Sequence, residues 1–198
     1  MASLSHILAS HILASHILAS HIPDPDNREI YTEFISRLLN QCHVNNSNVV
    51  ISKLDDKMEY PEVETMAFHL SLQLQYLEEQ GFTLLFWQPS DILVLHDGLQ
   101  NLYLLANLAQ MVQLDKKKKN ELVLIYPKVY PLPKERCAPE LLQMNALPFR
   151  THCSASYYSL ALLCLLYLSL EQIQGSRLFY FLERCLKAEP KERTLLYL

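Results

Sequence analysis

The sequence predicts an α-rich α+β domain with a small β-hairpin, and three observations lead there. Apolar residues recur at helical spacing in three separate segments, a fourth segment is apolar nearly all round, and two short β-type runs flank a turn-forming pentapeptide. The chain has 198 residues, half of them hydrophobic and 19% charged, with 3 glycines and a formal net charge of -4. That composition excludes collagen, an acidic disordered tail and a basic nucleic-acid coat. The length predicts one domain over residues 26–198, behind a tail of residues 1–25.

Residues 5–22 of the tail read SHILA three times and then SHI, ahead of a Pro23-Asp24-Pro25-Asp26 turn. Five residues advance a helix by about 500°, so each Ile-Leu-Ala triplet is turned by about 140° from the last, and on a strand an odd period alternates faces. Neither geometry gives a constant apolar stripe. The segment lacks the basic start of a signal peptide, and four histidines spoil it as a membrane span. It is expected to be flexible or ordered by a partner. His6, His11, His16 and His21 are metal-ligating residue types, but period five does not stack them on one helix face, so no metal site is expected.

The first helix is expected over Arg28 to Cys42, where Ile30, Tyr31, Phe34, Ile35, Leu38, Leu39 and Cys42 make an amphipathic stripe behind a cap at Asp26 or Asn27. Asn45 to Asn48 breaks it, and Val49-Val50-Ile51 reads as a short strand. A longer helix opens with Pro61 in its first turn and closes at Gly81, with Val63, Met66, Ala67, Leu70, Leu74 and Leu77 as its buried face. Asp91 to Leu95 and Asn101 to Leu105 form a hairpin around His96 to Gln100, and Glu121 to Tyr126 is a further strand. Lys116 to Lys119, flanked by Asp115 and Glu121, reads as a solvated turn, and the negative net charge argues against a nucleic-acid partner. Tyr157 to Leu170 is apolar on every side yet too short for a bilayer, which predicts a buried central helix. The last helix, Ser176 to Ala188, ends before Glu189-Pro190.

The five cysteines, Cys42, Cys137, Cys153, Cys164 and Cys185, show no CxxC and no common spacing, which suits free thiols in a reducing compartment. Cys42 beside His43 and His152 beside Cys153 are the two adjacent thiol–imidazole pairs. Sequence neighbours rarely converge on one reacting atom, so neither is expected to be catalytic.

Four stretches, in order, resemble the C-terminal lobe of a eukaryotic-type protein kinase. Gln73 to Gly81 followed by Pro89-Ser90-Asp91-Ile92-Leu93-Val94 is similar to qLxYLHxxG…HRDLKPENILV. Ala138-Pro139-Glu140 matches the Ala-Pro-Glu motif, Tyr158 to Leu163 is similar to the WSLGVLL opening of the central helix, and Leu182 to Arg193 resembles the terminal LxxCLxxDPxxR. The resemblance spans about residues 61 to 193 and implies a C-lobe-like helical domain whose N-terminal lobe is absent.

The departures from that pattern carry the functional expectation. Phosphoryl transfer needs a carboxylate at the acceptor hydroxyl, metal-binding Asn and Asp side chains, a lysine on the phosphates and a glycine-rich loop. Here Phe86 stands where the catalytic Asp belongs, Asp91 where the metal-binding Asn belongs, and Ala106-Asn107-Leu108 where Asp-Phe-Gly belongs. Ser156 replaces the Asp that steadies the catalytic loop, and neither GxGxxG nor Val-Ala-Ile-Lys occurs. The resemblance thus implies a non-catalytic, pseudokinase-like binding or scaffold module of the divergent type found in large DNA viruses, with no catalytic, cofactor-binding or metal residues. Its implied partners are proteins, other virion proteins among them, with no membrane span. Its implied location is the cytoplasm of an infected cell or the virion. The alternative is a structural component of the particle, a minor capsid protein. Glu140 and Arg193 are expected to form the family's buried ion pair. Within Leu84-Leu85-Phe86-Trp87, Phe86 is expected to be covered internally and Trp87 to contact a partner.

Overall fold

The computed structural model describes residues 31–33, 35–36, 39, 49–96, 98–107, 110–115, 117–118, 120–125 and 132–196. Tyr31, Ile35 and Leu39, four residues apart, are helical and fully buried, as the expected first stripe requires. The elements that follow are β1 (Val50–Lys53), α1 (Tyr60–Glu79), β2 (Phe82–Leu84), β3 (Ile92–His96), β4 (Asn101–Leu105), β5 (Met111–Gln113), β6 (Glu121–Leu124), α2 (Pro139–Leu142), β7 (Phe149–His152), α3 (Ala155–Cys164) and α4 (Arg177–Cys185). The repeat tail, Cys42 and His43 lie outside the described residues.

The expected α-rich, helical domain with one small hairpin is corrected by the sheets. The described residues form a mixed α/β structure with three small antiparallel sheets, ordered β1-β3-β4, β2-β5 and β6-β7. Three of the strands, β2, β5 and β7, had no sequence signal. Each has three or four residues, too few to display alternation, and each is held by pairing to a segment distant in sequence.

The segment expected as one domain over 26–198 divides into two compact units. The first takes its described residues from Met1–Leu54 and Ser90–Leu108. There β3 and β4 pair in register from Ile92↔Leu105 to His96↔Asn101, and the pair closes with His96 Nδ1 2.9 Å from Asn101 Oδ1. Gly98 turns the chain at φ 92°, a conformation that a side chain would strain. Strand β1 adds to the other edge of β3 and is exposed along its length.

The second unit comprises Asp55–Pro89 and Ala109–Leu198. Helix α1 starts at Tyr60 with Pro61 in its first turn, where the missing N–H costs nothing, and Glu62 Oε2 accepts from Glu59 N at 2.8 Å. Its predicted stripe from Val63 to Leu77 is buried, and Gly81 at φ 83° releases the chain into β2. Strands β2 and β5 pair through Thr83↔Val112, while β6 and β7 pair from Glu121↔His152 to Leu124↔Phe149. Between these elements lies an apolar cluster that includes Leu85, Phe86, Leu114, Leu122, Leu124, Leu141 and Cys153. Helix α3 is buried on several sides, as its composition predicts, but it ends at Cys164 rather than Leu170. Leu166 and Tyr167 turn back on i−3 carbonyls, and Ser169 and Gln172 bond each other instead of extending the helix. Helix α4 is capped by Ser176, whose Oγ accepts from Phe179 N at 3.1 Å, and stops three residues earlier than expected.

Candidate functional site

The segment after β2 supplies Leu84, Leu85, Phe86 and Trp87, all buried. Phe86 joins the apolar cluster of the second unit, and Leu85 N donates to Gln110 O at 3.2 Å. Trp87, expected to meet a partner, is a core residue instead: it is 1% exposed. Its indole Nε1 donates to Ser156 O at 3.1 Å, and its backbone N donates to Ser159 Oγ at 2.8 Å. The two small serines of α3 leave room for the indole and supply both acceptors, so the ring is satisfied inside the unit. Ser156 therefore does local work of a different kind from an Asp in its place.

In the first unit, Asp91 is buried and its Oδ1 accepts from Asn107 Nδ2 at 2.8 Å. Its carbonyl accepts from the backbone N of Ala106 and of Asn107. These bonds tie the start of β3 to the end of β4. Among the described residues, no three His, Cys, Asp or Glu side chains are placed to hold a metal ion.

Glu140 and Arg193 meet in the second unit. Arg193 is 3% exposed and donates from Nη1 to Glu140 Oε1 at 2.6 Å and from Nη2 to Oε2 at 2.9 Å. Its Nε donates to Lys187 O at 2.7 Å, and Nη1 and Nη2 also reach Ser154 O and Ala188 O. The guanidinium lies 4.9 Å from the centre of the Tyr158 ring. Only a planar fork with several donors could join the start of α2, the entry to α3 and the loop after α4 in this way. Arg193 is thus an anchor for three elements, and it also lines the margin of a small cleft with Tyr157 and Lys191.

An open site lies at the C-terminal end of α1. Helix α1 presents Glu78, whose Oε2 accepts from Tyr157 Oη of α3 at 2.6 Å. Thr83 Oγ1 of β2 stands 3.5 Å from Oε1 and 3.2 Å from Ser156 Oγ. Burial pushes the Glu78 carboxyl up to about 7, against the hydrogen bonds from Tyr157, Cys153 and Thr83. Tyr157 is raised in turn, first by burial and then by the Glu78 charge. A cleft of about 840 Å³ opens beside this carboxyl, with Gln75, Gln113, Asn120 and Cys153 among its walls. A smaller one of about 330 Å³ shares Gln75, Asn120 and Cys153 and adds His152, Tyr157 and Lys191.

The His152–Cys153 pair lines the smaller cleft. Cys153 Sγ is 3.9 Å from His152 Nδ1, which also lies 2.9 Å from Ser154 Oγ. Burial and the neighbouring Glu78 push the thiol up to about 12, and burial lowers His152. At neutral pH the sulfur keeps its proton, and the imidazole nitrogen nearest to it is committed elsewhere. The arrangement can bind polar groups but does not generate a thiolate.

The lysine turn is held by local bonds where it is described. Lys117 N donates to Asp115 Oδ1, Lys118 Nζ lies 3.1 Å from Glu121, and Arg150 Nη1 lies 3.1 Å from Asp115. No described helix is long and apolar enough to cross a membrane.

Sequence reasoning missed Glu78, Tyr157 and the cleft beside them. One signal was available: Leu70, Leu74 and Glu78 are spaced by four on α1, so the buried face ends on a carboxylate. Comparison of the chain with protein-family models and with curated proteins finds no match.

Proposed function

We propose that the chain is a non-catalytic binding or scaffold module, similar in sequence to a degenerate protein-kinase C-terminal lobe. The observation that carries this reading is Phe86. It stands where the resemblance calls for the catalytic carboxylate, and it is packed in the apolar cluster with Leu85, Leu114 and Leu141. A buried phenyl ring can neither accept a hydroxyl proton nor orient a nucleophile, so phosphoryl transfer has nothing to work with at that point. Of the two metal-binding positions of the resemblance, one holds Asp91, which spends a hydrogen bond on Asn107, and the other holds Ala106, which has no ligand atom in its side chain. The Glu140–Arg193 pair, by contrast, keeps the scaffold role that the resemblance gives it. By the same resemblance the protein belongs to the divergent type carried by large DNA viruses, acts in the infected cytoplasm or the virion, and engages protein partners.

A thermal-shift measurement with millimolar Mg·ATP tests the catalytic half of this proposal, because any ligand of the native state must raise its melting temperature. No shift is expected, and a clear rise overturns the reading. Quantitative proteomics of infected cells and purified virions tests the other half. A scaffold is expected at low copy beside a protein partner, whereas fixed high copy in particles means a capsid component.

A further inference from the structure

We propose that the larger cleft binds a guanidinium group, either an arginine side chain offered by a partner protein or a small free guanidine, seated on the Glu78 carboxylate. This deepens the binding-module reading by giving the partner a chemistry, and it does not depend on the kinase resemblance. The argument begins with how the carboxylate is held. Tyr157 Oη occupies Oε2 at 2.6 Å, Thr83 makes a long 3.5 Å approach to Oε1, and the single S–H of Cys153 also faces the carboxylate, so three donors meet a group with about four acceptor sites. One lone-pair face of a partly buried carboxylate is therefore left for a donor from the cleft. Among the described residues no lysine or arginine lines this cleft.

The other charged and titratable groups around Glu78 do not compete for that role. Tyr157 and Cys153, on and just before α3, are neutral at pH 7, and both already face the carboxylate. Glu79, the next residue on α1, is exposed to water. Asp115, across the cleft beyond β5, is held by Arg150 and the Lys117 backbone N–H. His152 turns Nδ1 to Ser154. Glu78 is thus the one carboxylate in the wall that is both partly desolvated and short of a cation, which a bound cation would correct.

The remaining wall selects the kind of cation. Gln75, Gln113 and Asn120 bring amide groups whose oxygens accept, spread around a volume of about 840 Å³. That is room for a side chain or a small organic ligand rather than a bare ion. A guanidinium is planar, weakly hydrated and carries donors in several directions, so one group can reach the carboxylate and the amides together. The smaller cleft continues past the shared Gln75, Asn120 and Cys153 to Lys191, which suits the carbonyl or carboxylate end of the same ligand.

The test uses the full chain and two probes, agmatine for a free guanidine and a blocked tripeptide with a central arginine for a partner side chain. A norleucine tripeptide is the control. Titration calorimetry at pH 6 and pH 8 is expected to show both arginine-type probes binding, with affinity rising nearly tenfold as Glu78 ionises through about 7. Glu78→Gln removes binding, and Glu171→Gln, at an exposed carboxylate outside both clefts, retains it. A tripeptide that binds tenfold tighter than agmatine assigns the site to a partner's arginine, and the reverse order to a free guanidine. Absence of binding by both probes at about 10 mM overturns the proposal. So does equal binding by Glu78→Gln, or affinity that does not change with pH. A Mg·ATP response would sink the non-catalytic reading and leave this result untouched.

Discussion

Arg193, Glu78 and Trp87 are three polar or amphipathic side chains taken out of water, and each has a different thermodynamic consequence. Arg193 is fully matched by Glu140 and three carbonyls. Arg193→Ala leaves the Glu140 carboxylate without its cation, so urea unfolding should show a loss of about 3–5 kcal/mol, and Arg193→Lys should recover only part of it. Glu78 is different, because its folded pKa of about 7 lies above the unfolded carboxyl value near 4.5. The folded state then holds the proton more tightly, so stability is greatest below about pH 4.5 as far as this group is concerned and falls as pH rises through 7. The size is on the order of 3 kcal/mol at most. Glu78→Gln should flatten stability against pH between 5 and 7.5, measured by urea midpoints. Trp87→Ala should cost about 3–5 kcal/mol by opening a cavity among the α3 serines. An unchanged urea midpoint for that variant would contradict the packing of the indole.

At the scale of elements, legibility followed length and locality. Helices α1 and α4 repeat their apolar residues over two turns or more, so Val63 to Leu77 and Leu178 to Cys185 could be read from spacing alone. Strands β3 and β4 announced themselves through a turn sequence between apolar runs. Strand β7 did not: Phe-Arg-Thr-His carries no alternation, and its pairing with β6 is decided by the cluster it covers. The same limit hid the candidate site, since Glu78, Thr83, Asn120 and Tyr157 come from four segments that only the fold assembles. Glu140 and Arg193 were readable because the resemblance named them as a pair, and the indole of Trp87 was misread because its serine acceptors lie about 70 residues away. Element ends also answer to single residues. Ser176→Ala removes the acceptor for Phe179 N and should cost about 1 kcal/mol, with faster amide exchange confined to the first turn of α4.

For the molecule as a whole, the five-residue period of residues 5–22 offers no constant apolar face to a core. Deleting residues 1–22 should therefore leave circular dichroism and the melting temperature unchanged, and a collapsed melt would mean that the repeats carry structure. The two units share one chain that leaves the second at Pro89 and returns to it at Ala109. Both ends of that excursion are clamped where it departs, by Leu84↔Met111 pairing and the Leu85 N to Gln110 O bond. The β3–β4 hairpin is thus an insertion in the chain of the second unit, and its tip carries Leu99, which is 91% exposed. Doubling the length of such a loop costs only about 0.6 kcal/mol in closure entropy, so a peptide tag spliced in at Gly98–Leu99 interrupts neither strand and leaves the β2–β5 pairing untouched. A chain lengthened at that tip should therefore keep β3 and β4 in their present register.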